Sequence, residues 1–208
     1  MIAVVDIGIG NLGSIINMFR KIGVEASISS RVSEIEKAEK LILPGVGSFS
    51  VGMSNLNSSG LVEVLRRKVV DEKVPMLGIC LGMQMLGKSS TEGEELQGLG
   101  WIDAHSVRFR FDSMEHHHRL RVPHMGWNTV RIVRDNSLFK NMGDEPRFYF
   151  VHSYHLVCAD PADVLTLTNY GYDFASSIRH GNIYGTQFHP EKSHRFGMTL
   201  LRNFAEIG

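Results

Sequence analysis

Two hydrophobic patterns alternate through the first half of the chain, and that alternation limits the folds open to it. IAVV, VEASIS, LILPG and VPMLGIC are short apolar or β-branched runs that read as strands. Between the first two, Leu12, Ile15, Ile16, Phe19 and Ile22 recur at helical spacing. GLVEVLRRKVVDE is a second amphipathic helix, and VSEIEKAEK a short one in which Ser33 and Glu36 have capping-box spacing. The LILPG strand is expected to stop at Pro44. Strands that alternate with helices pair in parallel through right-handed crossovers.

From about residue 98 to 188 the texture changes. GWIDAHSVRF, GWNTVRIV, PRFYFVHS, YHLVC, DVLTLT, FASSIR and IYGTQF all read as strands with little helical periodicity between them, and HRFGMTLLRNFAEIG reads as a closing helix. The expected architecture is α/β: a mostly parallel central sheet flanked by helices, with an antiparallel β extension, as one domain over residues 1–208.

Composition narrows the function classes. Lys plus Arg equal Asp plus Glu at 22 each, so the chain lacks the basic balance of a nucleic-acid binder. Its most apolar stretch, VPMLGICLGMQML, is too short to span a bilayer and contains Gln84. Two cysteines, Cys80 and Cys158, make no disulfide framework for this length. No secretory leader pattern opens the sequence. A soluble, cytoplasmic protein is expected.

VDIGIGNLGS places Gly8, Gly10 and Gly13 in a G-x-G-x-x-G between a strand and a helix, where a dinucleotide fingerprint sits, and Arg31 lies where a 2′-phosphate contact would. That reading leaves a second motif unexplained. GICLG, residues 78–82, is a cysteine version of the G-x-S-x-G nucleophile elbow, with a strand before it and a helix-forming run after it. Gly78 and Gly82 would remove side chains that collide across the turn. The Cys80 sulfur would project above the sheet at a helix start, a setting that favours a reactive thiol. The plain alternative is a buried small cysteine beside packing glycines.

A nucleophile needs a base. In QFHPEKS, His189 would move the thiol proton and Glu191, turned back at Pro190, would orient the imidazole. Backbone donors for an oxyanion would come from Leu81, directly after the cysteine, and from Val46 or Gly47 in PGVGSF. Taken alone, PGVGSF is an ordinary strand-ending turn and HPE a solvated one.

These pieces together resemble the triad-type, class I glutamine amidotransferases. GIGN, LPGVGSF, GICLGMQ, PHMGWN, YFVHSY and QFHPEKS occur in order along nearly the whole chain. Within that family the set is similar to the glutaminase subunits that serve histidine biosynthesis. The resemblance implies attack of Cys80 on the side-chain amide of L-glutamine, proton transfer by His189 and completion of the triad by Glu191. It places Gln84, Ser153 and Tyr154 near the glutamine pocket. It implies no cofactor and no metal. It implies a heterodimer with a (β/α)8 synthase subunit, which receives the ammonia and forms imidazole glycerol phosphate and aminoimidazole carboxamide ribotide (AICAR). Asn11, Trp127 and Lys192 would lie at or near that interface, and the Gly8–Asn11 loop would lie beside the active site. From the residues alone, Trp127 is equally a core aromatic.

Two features depart from the pattern. Ile7 stands where the family often has an aromatic residue. His116, His117 and His118 are consecutive, whereas chelation favours alternating or helical spacing, so an exposed polar hairpin is expected there. The competing functions are a glutaminase partner of a sugar amidotransferase that makes amidino sugars for surface polysaccharide, a cysteine peptidase of similar fold, and a non-catalytic binding module.

Overall fold

The computed structural model describes residues 1–93, 95–111 and 120–208, so the run His116–His118 and its expected hairpin lie outside the described residues. Strand β1 (Ile2–Val5), helix α1 (Leu12–Lys21), β2 (Ala26–Ser29), α2 (Val32–Ile35), β3 (Lys40–Gly45), α3 (Phe49–Ser58), α4 (Val62–Arg66), β4 (Met76–Cys80) and α5 (Leu81–Met85) make the first half. The short β5 (Ser89–Ser90) and β6 (Leu96–Gln97) follow, then β7 (Ala104–Arg108), β8 (His124–Thr129), β9 (Arg131–Ile132), β10 (Arg147–His152) and β11 (Tyr154–Cys158). The chain continues with β12 (Val164–Tyr170), β13 (Tyr172–His180), β14 (Ile183–Thr186) and α6 (His194–Glu206).

One large sheet runs β2-β1-β3-β4-β14-β13-β11-β7-β5-β6, with β12 and β9 attached beside β13. It is parallel from β2 through β14 and turns antiparallel at β13. The expected parallel sheet with an antiparallel extension is therefore the observed one. β8 and β10 form a separate two-stranded ribbon.

The period-two geometry of a strand sorts the core. Ile2 and Val4 of β1 enter one cluster with Ile15, Phe19, Leu200, Leu201 and Phe204 of α1 and α6. Ala3 and Val5 enter the other with Phe49, Leu56, Val64 and Leu65 of α3 and α4. Helices thus cover both faces of the parallel half, and each fully buried large side chain contributes about 1.5–3 kcal/mol.

Four local expectations are revised. β3 passes through Pro44, which pairs in register with Ile79, and ends at Gly45. The capping box is absent: Ser33 lies inside α2, while Glu34 is drawn back to the Ser29 hydroxyl and the Arg31 guanidinium. The amphipathic run after Gly60 is α-helical only through Arg66 and widens into a π-turn over Arg67–Asp71. Helix α3 has no counterpart in the reading above. Its start is set by Ser48, whose hydroxyl accepts from the Val51 amide at 3.4 Å.

Candidate active site

β3, β4 and β14 are adjacent parallel strands, and the carboxyl ends of such strands are where open α/β sheets bind ligands. Gly45 ends β3, Cys80 ends β4 opposite it in register, and His189 lies three residues beyond β14. The three conspicuous motifs therefore meet at one edge of the sheet.

Cys80 has φ +53° and ψ −109°, a conformation that a residue with a Cβ adopts only under strain. The flanking glycines make the turn sterically feasible. A Cβ on Gly82 would stand 1.8 Å from the Leu43 carbonyl oxygen, and one on Gly78 would stand 2.8 Å from Met83 backbone. The elbow expected at GICLG is the one observed, although α5 after it is a single short turn of five residues.

The His189-Pro190-Glu191 turn is held from two sides. The His189 amide donates to the Tyr149 carbonyl at 2.9 Å, and the Ser193 hydroxyl donates to the His189 carbonyl at 2.6 Å while accepting from the Tyr149 amide at 3.0 Å. Pro190–Lys192 forms a 3-10 turn, which brings the Glu191 carboxylate to 2.8 Å from His189 Nδ1. Both side chains are almost wholly buried. Burial disfavours the imidazolium, but Cys80 and the Glu191 carboxylate outweigh it and raise the His189 pKa to about 9. Among the described residues, His189 Nε2 and Glu191 Oε2 find no hydrogen-bond partner, so Cys80 acts on the ring by proximity and charge rather than through a completed bond of good geometry.

A cavity of about 450 Å³ opens here, lined by Val46, Gly47, Cys80, Gln84, Ser153, Tyr154 and His189, all singled out from sequence. Leu81 follows the cysteine directly at the start of α5. Gly47 has φ +96°, in the region that favours glycine. Five further lining residues were not found by sequence reasoning: Glu92, Arg108, Pro123, Val151 and His152. Glu92 is anchored by the Phe49 amide, which donates to its carboxylate at 2.7 Å. Arg108 is brought in by the β7–β11 register, opposite Tyr154. A lone Glu in a loop and a lone Arg at a strand end carry no local signal.

The remaining sequence candidates are placed as follows. Trp127 is 42% exposed on the β8–β10 ribbon, so it is not a core aromatic. Its ring stacks on His194 and meets Tyr149 edge-on, and the Lys192 ammonium lies 5.7 Å from the same Tyr149 ring. Asn11 is exposed at the entry of α1, and its side chain makes no capping bond. Gly8 and Gly10 have positive φ, but a Cβ on Gly13 would meet nothing within 4 Å. The third glycine thus does not serve the close helix packing of a dinucleotide fingerprint, and Arg31 is paired with Glu34. Cys158 is no rival nucleophile, because burial, and then Asp163 and Asp160, push its thiol up to about 12. No helix among the described residues is long and apolar enough to cross a membrane.

The comparisons with known proteins agree with this geometry. A family model described as glutamine amidotransferase class-I matches residues 3–207. The chain is 52% identical over 204 residues to the imidazole glycerol phosphate synthase subunit HisH 2 of Methanococcus maripaludis, with 98% of each chain covered. It is 49% identical over 207 residues to the subunit of the same name from Pseudomonas aeruginosa, with 100% of each covered. A crystal structure of a glutamine amidotransferase shares the fold with a TM-score of 0.72 at 22% identity, covering 99% of this chain and 97% of that one. On the family match and these full-length identities, the chain belongs to the class-I glutamine amidotransferases.

Proposed function

We propose that this chain is the glutaminase subunit of an imidazole glycerol phosphate synthase, releasing ammonia from L-glutamine for a (β/α)8 synthase subunit. The observation that carries the chemistry is the strained Cys80 sharing one cavity with His189, whose ring is held by the buried Glu191 carboxylate. The full-length identities to synthase subunits carry the pathway.

In this reading the Cys80 sulfur attacks the glutamine side-chain carbonyl carbon as its proton passes to His189 Nε2, the ring nitrogen that Glu191 leaves free. The C=O bond becomes an oxyanion, met by the Leu81 amide and by an amide of Val46 or Gly47. Collapse breaks the C–N bond, His189 returns the proton to the departing nitrogen, and ammonia leaves a glutamyl thioester on Cys80. Water, deprotonated by His189, then cleaves the thioester to glutamate and the free thiol. Glu92 and Arg108 line the cavity with opposite charges, which matches the α-ammonium and α-carboxylate of an amino acid. Gln84, Ser153 and Tyr154 complete its wall.

A docked partner is part of the same chemistry, because ammonia released into neutral water becomes ammonium and is no longer a nucleophile. Trp127 and Lys192, gathered on the Tyr149 ring, and Asn11 at the entry of α1 are the residues proposed to meet that partner.

Glutamate release by the purified chain, measured alone and then with a histidine-pathway synthase barrel and its ribonucleotide, tests the proposal. Strong stimulation by the pair is the expected result. Turnover that persists in Cys80→Ala removes the cysteine from its role. A Cys80 that is labelled by a glutamine-like affinity reagent but never stimulated by the barrel assigns the chain to another acceptor, such as a sugar amidotransferase.

A further inference from the structure

From the cavity wall inward runs a continuous chain of hydrogen-bonded polar groups whose bonds to one another the mechanism above does not use. Its fixed point is the Tyr154 backbone carbonyl, which can only accept. It accepts from His152 Nδ1 at 2.7 Å and from Gln84 Nε2 at 3.1 Å. The second Gln84 amide hydrogen goes to Gln187 Oε1 at 3.0 Å. With its oxygen so engaged, Gln187 turns its Nε2 to the Cys80 sulfur, 3.6 Å away. Gln187 is fully buried, so this orientation has no competition from solvent.

On the other side the tautomers follow in turn. Burial lowers the pKa of His152 to about 3 and that of His124 to about 4, so both rings are neutral. His152 carries its hydrogen on Nδ1 and therefore accepts at Nε2, from His124 Nδ1 at 3.0 Å. His124 Nε2 then accepts from Asn128 Nδ2 at 3.3 Å. The Asn128 amide is itself oriented, donating to the Asn169 carbonyl and accepting from the Thr129 amide.

We propose that Gln187 holds the Cys80 sulfur through this N–H···S contact and stabilises its anionic form during attack and thioester breakdown, with Gln84 and His152 as positioning residues that keep the Gln187 amide aimed. The inference rests on the reading of Cys80 as the nucleophile. The N–H···S bond strengthens as the sulfur gains charge, so it favours the reacting state over the resting thiol. Gln84 spends both amide hydrogens inside the chain, which leaves only its oxygen for a substrate.

The test uses the full-length chain. Alkylation of Cys80 by iodoacetamide is followed on its own peptide by mass spectrometry, beside kcat and KM for glutamine under the conditions where the wild type turns over. Gln187→Met removes the donor and is expected to slow alkylation and kcat by about tenfold while KM stays within about twofold. Gln187→Asn, which withdraws the amide by one methylene, is expected to do the same and stands in if the methionine variant fails to fold. His152→Phe is expected to lower both rates. His152→Asn, which places an N–H where Nδ1 carries one, is expected to restore most of the loss, a rescue that a space-filling role does not predict. Wild-type alkylation and kcat in a folded Gln187 variant overturn the assignment of Gln187. Equal losses in the two His152 variants overturn the positioning role of His152. Glutamine hydrolysis that survives in Cys80→Ala is a different failure, that of the nucleophile reading itself.

Discussion

Cys80 is held in a backbone conformation that glycine adopts freely and cysteine does not. Removing the side chain should therefore stabilise the fold while ending the chemistry. Cys80→Gly is expected to be about 1 kcal/mol more stable than Cys80→Ala in urea unfolding, with neither variant releasing glutamate. His189 yields a second expectation. Beside the Cys80 charge and the Glu191 carboxylate its pKa is raised from 6.5 to about 9, so once the ring has taken the thiol proton it keeps it for the leaving ammonia through neutral pH and loses it as pH rises through about 9. The alkaline limb of kcat should lie there. Glu191→Gln removes one of the charges that raise it, so the limb should move to lower pH, with a smaller loss of kcat than His189→Ala causes. The pattern Gly78-x-Cys80-x-Gly82 was legible in sequence because its geometry is local: the strand, the turn and the steric need for glycine lie within five residues. Glu92, Arg108 and Gln187 were not legible. Each acquires its place from a partner far along the chain, Gln187 lying 107 residues from the sulfur it faces.

At the scale of elements, the β8–β10 ribbon and the start of α6 together hold the HPE turn. Ser193 is the staple, and Ser193→Ala would leave the Tyr149 amide without its acceptor and the His189 carbonyl with the Lys192 amide as its remaining donor. A loss of about 1–2 kcal/mol in urea unfolding is expected, with kcat falling more than KM rises because the turn carries the proposed base. Helix α3 escaped the sequence reading because SFSVGMSNLNSS dilutes its apolar positions with serine and a glycine. That glycine, Gly52, lets Leu81 and the Met85 sulfur approach the helix, a demand visible only after α5 is in place. The strand carrying Trp127 was recognised, but alternation defines two faces without saying which one is covered. The fold settles it: Met125 and Trp127 are 62% and 42% exposed, while Phe148 and Phe150 of the paired strand are buried.

Across the whole molecule, acid stability is governed in part by histidines that stay neutral. His124 and His152 titrate at about 4 and about 3 in the folded chain against 6.5 when unfolded. Below pH 6.5 the unfolded chain takes up protons that the folded one does not, so stability is full above that pH and falls as pH drops toward 3. The melting temperature is expected to decline steadily between pH 6.5 and about 4. His152→Asn, lacking the titrating ring, should decline less over the same interval. Sheet order explains how the site is completed. Among the described residues, the parallel half β2-β1-β3-β4 is paired within the sheet to the antiparallel half beginning at β13 through β14, and β14 is the last of the strands in sequence. On the ribosome, the apolar edge of β4 stays open until Ile183–Thr186 emerge, and an open edge of that kind is where nascent chains pair wrongly. The same late strand delivers His189 beside Cys80. Closure of the sheet and assembly of the proposed proton-transfer pair are thus one event in biogenesis, and an unfinished chain holds a cysteine with no base to act on it.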